Sequence, residues 1–123
     1  MTDRVLYVDD EDDIREIAAM ALELDLDFEV RTCASGKDAI ALVCDWQPDI
    51  ILLDVMMPEM DGPTTFGILQ ARMLEDLPPV LFCTARTQAA DVATYLRLGA
   101  EGVVPKPFDP MTLAATVRAH LAK

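Results

Sequence analysis

The sequence predicts an α/β domain, a doubly wound parallel sheet of five strands with five helices. Two observations predict it. Short apolar runs alternate five times with longer stretches whose apolar residues recur at helical spacing. One run, Ile50-Ile51-Leu52-Leu53, is four consecutive aliphatic residues. That is too short for a buried helix and suits a strand covered on both faces.

Residues 4–8, Arg-Val-Leu-Tyr-Val, read as the first strand, followed at once by the acids of 9–13. Several of these acids favour the start of a helix. That helix carries Ile14, Ile17, Ala18, Ala21 and Leu22 on one stripe. Residues 28–32 form a shorter second strand. Ser35 and Asp38 resemble a capping box that opens a second helix containing Ile40 and Val43. Pro48 closes the connection into the third strand, which ends at Leu53 and delivers Asp54 to its C-terminal end. Pro58 and Asp61-Gly62 then mark a loop with turns.

The third helix spans 64–74, with Phe66, Leu69 and Met73 inward, and Pro78-Pro79 breaks it. Residues 80–83 are a fourth buried strand ending at Thr84. A fourth helix covers 87–98 and stops at Gly99 in a C′ position. Residues 102–104 make a brief fifth strand before Pro105-Lys106-Pro107. Asp109 and Pro110 read as an N-cap and N1 pair for the last helix, which buries Leu113, Ala114, Val117 and Leu121. Right-handed crossovers and a flavodoxin-like strand order 2-1-3-4-5 set the first and third strands side by side at the switch point.

Composition bounds the partners. The 123 residues suit one domain, 1–123, and 52% apolar with 6% aromatic content indicates an aliphatic core. A net charge of −12 disfavours direct contact with nucleic acid or an anionic membrane. No apolar run approaches the roughly 20 residues of a membrane span, and the N-terminus turns acidic too soon for a secretory signal. Cys33, Cys44 and Cys83 are widely spaced, without a metal-type pattern, and fit reduced thiols acting as small buried hydrophobes in a cytoplasmic protein. His120, the single histidine, sits near a helix end and suits its dipole. A histidine triad or zinc site is thereby disfavoured.

Ligands in an open parallel sheet bind beyond the carboxyl ends of the strands. The predicted topology brings Asp9, Asp10, Asp54, Thr84 and Lys106 to that edge from four different strands. Taken singly, Asp54 is a loop cap, Asp9-Asp10 a helix start, Thr84 a turn residue and Lys106 a surface lysine. Their common address gives the set chemical meaning. Carboxylates about 5 Å apart repel by roughly 3 kcal/mol per pair at an effective dielectric near 20. Such a cluster calls for a proton or a hard divalent ion, magnesium or manganese, with oxygen ligands. A carboxylate beside that ion can attack phosphorus and become an aspartyl phosphate. Lys106 supplies charge and Thr84 a hydroxyl for the transferred group.

These motifs resemble the receiver domain of two-component response regulators over essentially the full chain. They are Val8-Asp9-Asp10-Glu11, Pro48-Asp49-Ile50-Ile51-Leu52-Leu53-Asp54, Met57-Pro58-Glu59-Met60-Asp61-Gly62, Thr84-Ala85, Leu98-Gly99-Ala100 and Lys106-Pro107-Phe108. The resemblance implies that Asp54 accepts a phosphoryl group from a phosphohistidine on a sensor histidine kinase or histidine phosphotransfer protein. It implies magnesium bound by Asp10, Asp54 and the Met56 backbone carbonyl, with Asp9 helping through a water. It implies Lys106 on the phosphoryl oxygens, a mobile Thr84, and a Lys106-Pro107 bond that is usually cis in the family. The partner surface it implies is the face of the fourth helix, fifth strand and fifth helix.

One departure stands out. Many receivers carry Tyr or Phe at the position of Val103, and this chain has no large ring there to turn. Met56 and Arg86 are expected to border the approach of water to the phosphorylated site and so to tune its lifetime. Two other classes compete. A phosphatase resembling the haloacid dehalogenases needs a second carboxylate two residues after the first, where Met56 stands. A phosphate-independent scaffold is at odds with the retained Asp9, Asp10, Asp54, Thr84 and Lys106. The module is thus expected to be a regulator that modifies itself, not an enzyme acting on other molecules. Its output is expected to pass to a separate protein or to an output domain of a longer chain.

Overall fold

The structure is a computed structural model that describes residues 2–121. Met1, Ala122 and Lys123, the ends of the expected 1–123 domain, lie outside the described residues. The elements alternate as β1 (Asp3–Val8), α1 (Asp12–Leu22), β2 (Phe28–Cys33), α2 (Gly36–Leu42), β3 (Ile50–Asp54), α3 (Gly62–Met73), β4 (Val80–Thr84), α4 (Ala89–Leu98), β5 (Gly102–Pro105) and α5 (Leu113–Leu121). The sheet runs β2-β1-β3-β4-β5 with every pairing parallel, the expected doubly wound order. Among the described residues no helix is long and apolar enough to cross a membrane.

Strand alternation divides the core into two layers. Leu6, Val8, Ile51, Leu53 and Phe82 face the side covered by α2, α3 and α4, where Phe66, Leu69 and Tyr95 pack on them. Val5, Tyr7, Ile50, Leu52 and Leu81 face α1 and α5, against Ala18, Leu22, Leu113 and Val117. Both faces of β3 are therefore dry, which is why its sequence is aliphatic without alternation. Each fully buried Leu or Ile contributes about 1.5–3 kcal/mol.

Caps set the helix limits. Asp61 opens α3 by accepting from the Thr64 N–H at 2.8 Å, with Pro63 in the first turn, so the helix starts two residues before the expected 64. Ser35 Oγ accepts from the Asp38 N–H at 3.1 Å. Leu74 takes a positive φ of 51° and ends α3 well ahead of Pro78; a short 3-10 turn, Leu74–Asp76, follows. Gly99, at φ 116°, closes α4 as the C′ residue. The Lys106-Pro107 peptide is cis, as expected.

Several expectations are corrected. Thr87 lies outside α4, because Gln88 is extended and serves as its N-cap. Asp109 does cap a turn, accepting from the Met111 N–H at 2.8 Å, but regular α5 begins only at Leu113. Ile17 is 47% exposed, because α1 turns it toward an open cleft instead of the sheet. Cys33 and Cys83 are buried and free, whereas Cys44 is free and exposed on the loop after α2, so only two cysteines serve as core.

Candidate functional site

The carboxyl ends of the strands converge as the topology requires. Val8 pairs with Leu53, so Asp9 and Asp54, one step further on, emerge side by side. Thr84 pairs with Pro105, which sets Lys106 just beyond the edge, and the Lys106 N–H donates to the Thr84 carbonyl at 3.0 Å. Asp9, Asp54 and Thr84 are buried, and Asp10 is half-buried. Oxygens of Asp9, Asp10 and Asp54 lie within 4.8 Å of one another.

Lys106 bridges this cluster. Its Nζ donates to Asp9 Oδ2 at 2.8 Å and lies 3.3 Å from Asp54 Oδ1. Asp9 is held further by the Tyr7 hydroxyl, which donates to Oδ2 at 3.0 Å, and by the Glu11 N–H, which donates to Oδ1 at 3.0 Å. Arg15 ties the same corner by donating to the Asp9 carbonyl at 2.8 Å. The loop after β3 is fixed by Gly62, whose N–H donates to the Val55 carbonyl at 2.9 Å. A Cβ at Gly62 would stand 2.4 Å from the Asp54 carbonyl oxygen, so only glycine lets α3 start this close to the acid.

An open cleft of about 520 Å3 adjoins the acids. Asp54, Thr84 and Lys106 line it together with the apolar Ile14, Ile17 and Phe108. Met56 also lines it and is 70% exposed. Thr84 Oγ1 accepts from the Arg86 N–H at 3.0 Å, while Arg86 itself is exposed. Val103 lies opposite Phe82 in the sheet. Phe82 packs edge-on against Tyr95 of α4, with ring centroids 5.2 Å apart, and Tyr95 is the buried residue of that helix.

Electrostatics follow from burial. Desolvation and the charge of Asp9 push the Asp54 carboxyl up to about 6, against the opposing pull of Lys106. Burial pulls the Lys106 ammonium down, but its bond to Asp9 and the charges of both acids outweigh that and leave it raised. Burial, more than the nearby acids, raises the Tyr7 phenol and keeps it a proton donor. The site is thus a carboxylate-rich recess short of positive charge, next to an open, partly apolar cleft.

The family model described as "Response regulator receiver domain" matches residues 5–118. The chain belongs to the response regulator receiver family. Among curated relatives, the receiver is 38% identical over 121 residues to the probable transcriptional regulator ycf27 of Guillardia theta, covering 98% of this chain and 46% of that protein. It is 35% identical over 123 residues to the DNA-binding response regulator MtrA of Mycolicibacterium smegmatis, covering 100% of this chain and 52% of the other. The receiver thus spans about half the length of these relatives. Among solved structures, the chemotaxis response regulator CheY4 of Vibrio cholerae superimposes with a TM-score of 0.88 at 32% identity, covering 98% of this chain and 99% of that one. A putative response regulator from Chloroflexus aurantiacus does so with a TM-score of 0.88 at 30% identity over the full length of both.

All five strand-edge residues expected to meet in this receiver do meet. Tyr7 and the Glu11 N–H were not anticipated as parts of the site. For Tyr7 a signal existed, since residues two apart on a strand share a face and Asp9 follows at that spacing. The Glu11 contact depends on a local turn that no residue type announces.

Proposed function

We propose that this two-component receiver takes a phosphoryl group onto Asp54 from a phosphohistidine of a sensor histidine kinase or a histidine phosphotransfer protein. The observation that carries this is Asp54 itself: a buried carboxylate 3.3 Å from an ammonium, lining a cleft open to a donor. An Asp54 oxygen attacks phosphorus, an O–P bond forms, the donor's N–P bond breaks, and its electron pair returns to the imidazole nitrogen. Lys106 shifts from Asp9 to the developing charge on the phosphoryl oxygens. Thr84 offers its hydroxyl proton, which the bond from the Arg86 N–H leaves unused.

The donor set fits magnesium or manganese: three carboxylates with oxygens within 4.8 Å of one another, all hard ligands. Asp10, Asp54 and the Met56 carbonyl would hold the ion, with Asp9 acting through a water. When bound, such an ion neutralises charge on the transferring group. Because each transfer modifies Asp54 itself, the protein works as a regulator and not as an enzyme on other substrates.

The output surface in this proposal is the face of α4, β5 and α5. Leu96 and Leu98 of α4 are 46% and 45% exposed. Thr84 leads into α4 and Lys106 into α5, so both phosphate-sensing groups connect to that face. The recipient is a separate protein or an output domain joined to the receiver. Incubation with phosphoramidate and magnesium tests the core claim. The intact mass should rise by one phosphoryl group, and hydroxylamine should remove it, as expected of an acyl phosphate. A mass unchanged with magnesium present would refute the proposal.

A further inference from the structure

Tyr7 is fully buried in the layer facing α1 and α5, and its ring packs edge-on against Phe108 with centroids 6.3 Å apart. A tyrosine in such a layer needs an acceptor for its hydroxyl. It finds one at 3.0 Å in Asp9 Oδ2, the same oxygen that takes the Lys106 ammonium at 2.8 Å. A carboxylate offers about four lone-pair sites. Tyr7, Lys106 and the Glu11 N–H occupy three of them, so Asp9 is held in one orientation with a single site left on Oδ1.

Building on the phosphoacceptor function above, we propose that Tyr7 is a positioning residue that holds Asp9 and thereby frees Lys106 for the phosphoryl group. In the resting protein, Lys106 sits closer to Asp9 than to Asp54, at 2.8 against 3.3 Å. To serve the transferred group it must loosen its bond to Asp9. If Lys106 were the sole side-chain donor to Oδ2, its departure would leave a buried carboxylate oxygen bare, which is costly. With the phenol in place, Oδ2 keeps a donor throughout. With both its oxygens engaged, Asp9 has little freedom to turn toward an ion.

Tyr7→Phe tests this, because it keeps the ring and its contact with Phe108 and removes one oxygen. The maximal rate of Asp54 phosphorylation by phosphoramidate at saturating magnesium should fall about tenfold, the worth of one hydrogen bond to a charged group. The donor concentration at half-maximal rate should not change, since the hydroxyl does not face the cleft. A maximal rate within about twofold of the wild type, or a loss confined to donor affinity, would overturn the proposal. The nitrogen-15 resonance of the Lys106 ammonium in the unphosphorylated protein gives a readout independent of phosphate chemistry. It should move in Tyr7→Phe, with slower proton exchange as Asp9 grips Lys106 alone. An unmoved resonance would overturn the role of Tyr7 even in a protein that takes no phosphate. Failure of the phosphoacceptor function itself would appear separately, as a wild-type protein that gains no phosphate.

Discussion

Lys106 gives its shortest ion-pair contact to Asp9, 2.8 Å from Nζ to Oδ2, although Asp54 is the proposed acceptor. The resting site therefore holds its ammonium in reserve. That ammonium also offsets the repulsion among the acids. Lys106→Met should destabilise the metal-free fold by about 2 kcal/mol, because it leaves two buried carboxylates without a cation. Magnesium should restore part of the loss. Urea midpoints with and without the ion check this; an unaffected midpoint would mean the acids do not need Lys106.

Asp54 carries a pH signature. Its folded pKa of about 6 lies above the ordinary 3.8, so the folded protein binds this proton more tightly than the unfolded chain. The resulting stabilisation is complete below about pH 4 and is lost as pH rises through about 6. Asp54→Asn imitates the protonated form. Without metal it should be more stable than the wild type by about 2 kcal/mol at about pH 8, and the two should converge near pH 4. Urea unfolding across that range decides it; a gap independent of pH would rule this effect out.

Metal affinity should divide the two leading acids. Among the described residues the Asp10 side chain makes no hydrogen bond, whereas both oxygens of Asp9 are engaged. Asp10→Ala should weaken magnesium binding by more than about tenfold and Asp9→Ala by less, as direct and water-mediated ligands should. Calorimetric titration gives the comparison, and the reverse order would contradict the assignment. Melting temperature should rise with magnesium concentration in the wild type.

The lifetime of the phosphorylated state should depend on the side chains beside Asp54. Met56 lines the same cleft, is exposed and apolar, and offers water no strong hydrogen bond. Replacing Met56 with Asn and Arg86 with Glu supplies groups that can orient an attacking water. Loss of phosphate at fixed magnesium should quicken by about tenfold in the double variant. An equal or slower loss would show that neither side chain governs water access.

Much of this was legible in the residues. Ile50 to Leu53 suits a strand buried on both faces, and the expected strand order makes Asp9 and Asp54 neighbours, as they are. Asp10, Thr84 and Lys106 were readable for the same reason: each stands at or just past the end of a hydrophobic run. What stayed hidden depended on rotation or on side-chain direction. Ile17 has the spacing of a core residue, yet α1 sits far enough round to expose it to the cleft. Leu74 looks like continuing helix, but its positive φ ends α3 at Met73. That Lys106 would choose Asp9 over Asp54 depends on ångström-scale competition for one ammonium, which residue types alone do not encode.

The most direct test of the whole account is to locate the phosphate. Protein treated with phosphoramidate and magnesium, reduced with borohydride and digested, should yield one modified peptide, with the change at Asp54. Asp54→Asn, treated identically, should gain no label. Equal labelling of Asp54→Asn, or modification mapped to Asp9 or Asp10 instead, would contradict the assignment of Asp54 as the acceptor.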